Sequence, residues 1–302
     1  KEVAAMLHKK GFSNRSFTIV LFLLLVLPSL VLTAESEETI SAKDLPPAVK
    51  ETLNNLRPGL EPEKVEREED DGFLYFEAEF KWNDTENEIK TDDKGRVVEL
   101  EEAVLPSHLS PAIQKQIEAN YPSHELEEAE QVSLNYYEVE ITVNGEETVV
   151  RILENGRVLG SESEDEGGEN EDEQVVPWES LPAEIKRSIE DHRSAEQPVK
   201  IERSLDDGYT YFEAEYSKKN GVTHEVKVDE MGQIVEIEDE IPVDKFPMEA
   251  RDSLAKSFPN SSIKEVTRKQ AVYFTVELEK GDQELELSFL SNGSPIDGNE
   301  ED

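Results

Sequence analysis

The chain of 302 residues carries 31 Lys and Arg against 71 Asp and Glu, a formal net charge of −40. That balance excludes a nucleic-acid or other phosphate-binding role, which needs clustered positive charge, and argues against docking on anionic lipid. Cysteine is absent, so disulfides, thiolate chemistry and Cys-based zinc sites are excluded, and a hydrophobic content of 36% points away from one large core.

In chain order, Lys9, Lys10 and Arg15 precede an apolar run from Phe17 to Leu32, which gives way to Thr33, Ala34, Glu35 and Ser36. This order reads as a secretory signal over residues 1–36. Met6 is a candidate start, which would make residues 1–5 an upstream extension. The run is short for a bilayer span of about 20 residues, so cleavage near Ala34 or Ser36 is expected over an uncleaved anchor, and no membrane association beyond this segment is expected. The remainder carries a net charge of −42 and reads as an exported, periplasmic or extracellular protein.

Four Pro-initiated stretches follow, each with apolar residues three or four apart. They are Pro46-Pro47 with Val49, Leu53 and Leu56; Pro111 with Ile113, Ile117 and Tyr121; Pro182 with Ile185 and Ile189; and Pro247 with Ala250, Leu254 and Phe258. Proline in the first turn and this spacing predict short helices, and Ser110 is placed to cap the second. Helices of about three turns are marginal alone and must lie on something else.

That support is predicted to be a sheet. Residues 64–80, KVEREEDDGFLYFEAEF, match residues 200–216, KIERSLDDGYTYFEAEY, at 11 of 17 positions, and the match resumes after a one-residue slip at Glu88 and Glu225. The chain is therefore internally duplicated. In the first unit, period-two segments near 63–69, 73–82, 86–92 and 95–101 predict four antiparallel strands. Glycine turns close the later strands of every unit at Gly95, Gly156, Gly232 and Gly293. The expected fold class is α+β, in tandem repeats of one helix on an antiparallel, roughly four-stranded sheet. Two lobes are expected, 43–160 (units 43–102 and 104–160) and 176–297 (units 176–240 and 241–297). The acidic stretch 161–175 reads as a disordered linker and 298–302 as a disordered tail.

The longest strand of each unit turns one face to its helix: Phe76/Ala78, Tyr137/Val139, Phe212/Ala214 and Phe274/Val276. The opposite face carries Tyr75, Glu77 and Glu79; Tyr136, Glu138 and Glu140; Tyr211, Glu213 and Glu215; and Tyr273 and Glu277, with Thr275 the exception. One reading is an ordinary solvated strand face. The other is a docking surface, in which outward tyrosines supply contact area and glutamates select a basic protein partner.

The Leu-Pro helix starts (Leu45-Pro46, Leu105-Pro106, Leu181-Pro182), the Tyr-Phe-Glu-Ala-Glu strands and the closing hairpins Gly95–Glu99 and Gly232–Glu236 resemble the PepSY-like and β-lactamase-inhibitor-protein-like group. The resemblance covers most of residues 43–297. It implies an exported module that binds another protein, in the inhibitor branch a secreted enzyme, on its open sheet face. The inhibitor branch carries disulfides, and this chain departs from it there.

No catalytic constellation is legible. His108, His124, His192 and His224 read as ordinary surface histidines, with no HExxH spacing, no Gly-x-Ser-x-Gly elbow and no glycine-rich phosphate loop. No enzyme activity and no cofactor are expected. The Asp-Asp-Gly runs at 70–72 and 206–208 match no calcium-loop pattern and read as hairpin turns, with weak Ca²⁺ binding by an acidic envelope protein as the alternative function.

Overall fold

A computed structural model describes residues 36–82, 85–163, 173–193, 196–206, 208–219, 221–281 and 283–296. The expected signal segment up to residue 35, most of the expected linker and the tail lie outside them. Among the described residues are four α-helices: α1 (Pro47–Leu56), α2 (Pro111–Asn120), α3 (Ala183–His192) and α4 (Met248–Ser257). Proline occupies the N-cap or first turn of each. Ser110 accepts a 3.1 Å bond from the Ile113 N–H and caps α2 as expected. Among the described residues, no helix is long and apolar enough to cross a membrane.

All strands join one antiparallel sheet. The first half of the chain supplies β1 (Ser36–Thr39), β2 (Lys64–Asp70), β3 (Phe73–Trp82), β4 (Thr85–Asp92), β5 (Val97–Ala103), β6 (Glu125–Val143), β7 (Glu146–Ile152) and β8 (Val158–Ser163). The second supplies β9 (Gln174–Val175), β10 (Lys200–Asp206), β11 (Tyr209–Lys219), β12 (Val222–Asp229), β13 (Ile234–Glu240), β14 (Ser262–Lys280) and β15 (Gln283–Phe289). The order is β1-β2-β3-β4-β5-β6-β14-β13-β12-β11-β10-β9, with β7 and then β8 beside β6, and β15 beside β14. Both ends of the expected linker therefore belong to the sheet, at 161–163 and 174–175.

Two self-contained lobes are not what forms. At Asp71-Gly72 the chain reverses with φ of 51° and 81°, the geometry a tight hairpin demands. Superposing the repeats on their tyrosines puts Val132-Ser133 and Lys269-Gln270 at that place, where no glycine is available. The strand therefore runs on, and β6 and β14 each extend for 19 residues. They pair antiparallel along their whole length, Glu125 opposite Glu279 at one end and Thr142 opposite Ser262 at the other.

This continuation exchanges the cores of the second and fourth units. Helix α1 buries Val49 and Leu53 against Phe76, Ala78 and Ile89 of its own unit, and α3 buries Ile185 and Ile189 against Phe212 and Val226 of its own. Helix α2, in contrast, buries Ile113 and Ile117 against Val276, Leu278 and Leu287 from the end of the chain. Helix α4 buries Ala250 and Leu254 against Val139, Ile141 and Val150 from the middle. Each buried aliphatic side chain of this kind is worth about 1.5–3 kcal/mol, so neither half closes its core alone.

The glycine turns record the same exchange. A Cβ built on Gly95 would stand 2.6 Å from the Ala48 carbonyl of its own α1, whereas one on Gly156 would stand 2.9 Å from the Glu249 oxygen of α4. Both glycines sit in the left-handed region, at φ +75° and +98°. Only glycine combines that conformation with so close a backbone approach.

Candidate functional site

The sheet has two faces with different fates. One is covered by the four helices. The other carries the repeated tyrosines and glutamates, and cross-strand pairing sets them in rows. The central row runs Glu66, Glu77, Lys90, Glu99, Leu134, then Ala271, Glu236, Lys227, Glu213, Glu202. It reads alike from both ends, because β6 and β14 cross about a pseudo-twofold axis between Leu134 and Ala271. A flanking row on one side runs Lys64, Glu79, Glu88, Glu101, Val132, Tyr273. Its counterpart runs Lys200, Glu215, Glu225, Glu238, Lys269, Tyr136.

The tyrosines do not face solvent. Tyr75, Tyr136, Tyr211 and Tyr273 are at most 5% exposed and share one apolar cluster with Val132, Leu134, Leu153, Ala271, Leu290 and Ile296. The alternation is as expected, with Phe76, Phe212 and their equivalents on the helix side. The expectation that the opposite rings stand outward is corrected. The two halves cross here, and the turns after β7 and β15 bring Leu153 and Leu290 onto the rings. The Tyr75 hydroxyl accepts a bond from Asn155 Nδ2 at 3.1 Å, and the Tyr273 hydroxyl donates to Glu99 at 3.2 Å. Lys90 and Lys227 lie 5.5 and 5.0 Å from the centres of the Tyr75 and Tyr211 rings.

The glutamates that sequence singled out, Glu77, Glu79, Glu138, Glu140, Glu213, Glu215 and Glu277, are all half-buried on this face. Carboxylates outnumber cations around them, and burial makes each charge costly. Burial, then Glu77, pushes Glu88 up to about 8. Burial, then Glu99 and Glu130, pushes Glu101 up to about 9. Burial, then bonding and repulsion from Glu213, pushes Glu225 up to about 9. Glu236, wholly buried, is driven far above the carboxylate range by burial despite Lys269.

Lys269 was not singled out by sequence, yet it is the most deeply buried cation described. Its Nζ stands 3.0 Å from Glu138, 3.4 Å from Glu236 and 3.4 Å from Glu238. Neither Glu236 oxygen has a hydrogen bond among the described residues. The clue available in sequence was the substitution of lysine where the first repeat has Asp71. Glu99 and Glu236 were legible only as the ends of closing hairpins.

The Asp-Asp-Gly turn at 70–72 is a tight hairpin, as read. Among the described residues, no group of three or more His, Asp or Glu side chains is arranged to hold a metal ion. The histidines are not all ordinary surface groups: His224 is 8% exposed and its Nε2 lies 2.9 Å from that of His192. What the tyrosine face offers chemically is a dense, half-buried carboxylate array on a rigid apolar base, suited to accept cationic groups.

A family model described as "Putative beta-lactamase-inhibitor-like, PepSY-like" matches the chain four times, at residues 32–99, 74–159, 168–235 and 210–297. No curated protein matches. Similar solved structures include a DUF2874 family protein from Bacteroides ovatus ATCC 8483, 17% identical over 40% of this chain and 89% of that one, TM-score 0.26. A BLIP-like protein from Bacteroides fragilis NCTC 9343 is 15% identical over 43% of this chain and 90% of that one, TM-score 0.24. A "putative calcium-regulated periplasmic protein" from Bacteroides thetaiotaomicron is 17% identical over 41% of this chain and 94% of that one, TM-score 0.21.

Proposed function

The chain belongs to the PepSY-like family, and from that premise we propose that it is an exported, periplasmic, non-catalytic protein-binding module. Each of its four repeats contributes one helix, and the second and fourth repeats cover each other's helices with their strands. Its partner is a basic secreted or envelope protein, and its role is that of an inhibitor or sensor of such an enzyme. The observation that carries this reading is the carboxylate array. Glu77, Glu79, Glu213 and Glu215 occupy matching half-buried places on both sides of the pseudo-twofold axis. The tyrosines contribute by holding that array rigid, not by touching the partner.

Binding through such an array weakens with salt, because partly exposed charges are screened within about 10 Å at 0.1 M ionic strength. The test is calorimetric titration of a Lys/Arg-alternating peptide, and of cationic secreted enzymes, into the wild-type chain and a Glu79→Gln/Glu215→Gln variant. Binding that is lost in the variant and falls with salt supports the reading. Equal affinity of the two proteins, or no binding to any cationic probe, removes it.

A further inference from the structure

The helix end of α3 is fastened differently from that of its repeat partner α1. In the first unit, Arg57 at the end of α1 pairs with Glu102 of β5 at 2.7 Å. The matching residues of the third unit are Arg193 and Asp239, and they do not pair. Arg193 turns to Glu196 at 2.7 Å and lies 5.2 Å from the Tyr216 ring centre. The link from helix to sheet passes instead through two imidazoles. His192, the last residue of α3, meets His224 of β12, and His224 Nδ1 lies 2.7 Å from Asp239 of β13. Asp239 is also paired with Arg268 of β14. The first unit has Leu56 and Asn87 where these histidines stand.

The geometry of the two rings defines what lies between them. Their planes are within 2° of parallel and their centres are 5.2 Å apart, while their Nε2 atoms are 2.9 Å apart. The difference, 5.2 − 2.9 = 2.3 Å, is twice the radius from an imidazole centre to its nitrogen. The rings are therefore end-on and coplanar, each nitrogen aimed at the other. That line holds one proton. It is too short to hold a metal ion between opposed nitrogens, since two bonds of about 2.0 Å would be needed.

We infer that His192 and His224 share one proton and form a latch that releases the end of α3 when the site takes up a second. Asp239 is held as a carboxylate: burial opposes this, but bonds from His224 and Arg268 bring it to about 2. His224 Nδ1–H therefore donates to Asp239, and in the neutral pair His192 Nε2–H donates to His224 Nε2. One added proton leaves a single N–H between the rings. A second puts two N–H groups head to head, and the contact breaks. The charged groups facing the pair are Asp239, which favours protonation, and Arg193 and Arg268, which oppose it; Tyr216 of β11 packs on His224 without charge. Burial, then His224 and Arg193, lower His192 from 6.5. A folded-state value below the unfolded one gives stability that is present above pH 6.5 and lost as pH falls.

The test reads α3 locally in the full chain, with α1 as internal reference. Its Arg57–Glu102 fastening contains no imidazole. Amide hydrogen exchange is measured for both helices at about pH 7.5 and 5. The expected result is a protection of residues 183–192, relative to 47–56, that falls at least tenfold on acidification. In His192→Gln, whose amide donates to His224 without titrating, that fall disappears while protection at the higher pH stays. Nitrogen-15 shifts of the wild-type imidazoles provide a readout independent of any variant: the latch requires two well-separated steps for the pair. Equal acid response of α1 and α3, an unaltered response in His192→Gln, or two independent titrations near 6.5 would overturn the proposal.

Discussion

Glu101 and Glu238 hold the same place on the two sides of the pseudo-twofold axis, and the residue paired with each differs in charge. Beside Glu238 stands Lys269; beside Glu101 stands Val132. Both acids are raised by burial, but in Glu238 Lys269 and Lys227 work against the shift, whereas in Glu101 the neighbouring glutamates add to it and it reaches about 9. The contrast shows how this sheet tolerates so many buried carboxylates. Protons neutralise them in both halves, at Glu101 in one and Glu225 in the other, and beside Glu238 a buried ammonium joins in. A net charge counted from the sequence therefore overstates the charge that the folded face carries near neutral pH.

The largest effect comes from removing the ammonium. Lys269→Met takes the ammonium away from Glu138, Glu236 and Glu238, and breaking a buried pair from one side costs about 3–5 kcal/mol. Chemical unfolding at pH 7 should show that loss, and the gap to wild type should shrink at pH 5, as Glu238, already raised by burial, takes up a proton. A gap that is constant with pH would mean that Lys269 acts through packing alone.

The proton-neutralised acids make the second prediction. Glu101 and Glu225 at about 9 and Glu88 at about 8 all start from an ordinary 4.5. Acids with a folded-state value above the unfolded one stabilise fully below 4.5, and that contribution is lost as pH rises through 8 to 9. Melting temperature should therefore decline between pH 5 and 9. The α3 latch acts in the opposite direction on a single helix end, so the two are separable by comparing global melting with local exchange. A global stability that rises from pH 5 to 9 would contradict the burial of these three groups.

Much of this face was legible in the sequence. Period-two alternation separated the helix-covered residues Phe76 and Phe212 from Tyr75 and Tyr211, and glycine turns located Gly95, Gly156, Gly232 and Gly293. What covers the tyrosines was not legible, because alternation states which face a side chain takes and nothing about what packs there. The exchange between halves was hidden for a related reason. A turn announces itself by glycine and aspartate, whereas the missing turns at Val132-Ser133 and Lys269-Gln270 leave only their absence. Lys269 meets Glu138 and Glu236, and His192 meets His224, across distances along the chain that no local pattern spans.

Val132→Lys tests whether the asymmetry is one of charge alone. A lysine at 132 sits opposite Tyr273 and Glu101 as Lys269 sits opposite Tyr136 and Glu238. A bond to a charged group contributes about 1.5 kcal/mol, so the variant should gain that much at pH 8 relative to pH 5. The decline in melting temperature with pH should flatten with it. Equal destabilisation at both pH values would show that the Val132 side is fixed by packing, and that its glutamates are not free to accept an internal cation.

The smallest effect separates the two bonded tyrosines. Tyr75→Phe removes the bond its hydroxyl accepts from Asn155 and should cost about 1 kcal/mol at every pH. Tyr273→Phe removes a donor to Glu99. That bond and Lys90 both lower the Glu99 carboxyl against the larger upward push of burial. Without the hydroxyl, ionising Glu99 becomes harder, so the loss should be near that of Tyr75→Phe at pH 5 and exceed it at pH 9. Parallel pH profiles for the two variants would place Glu99 outside the proton-holding set. Diverging profiles would show that the buried rings tune the carboxylate ladder as well as support it.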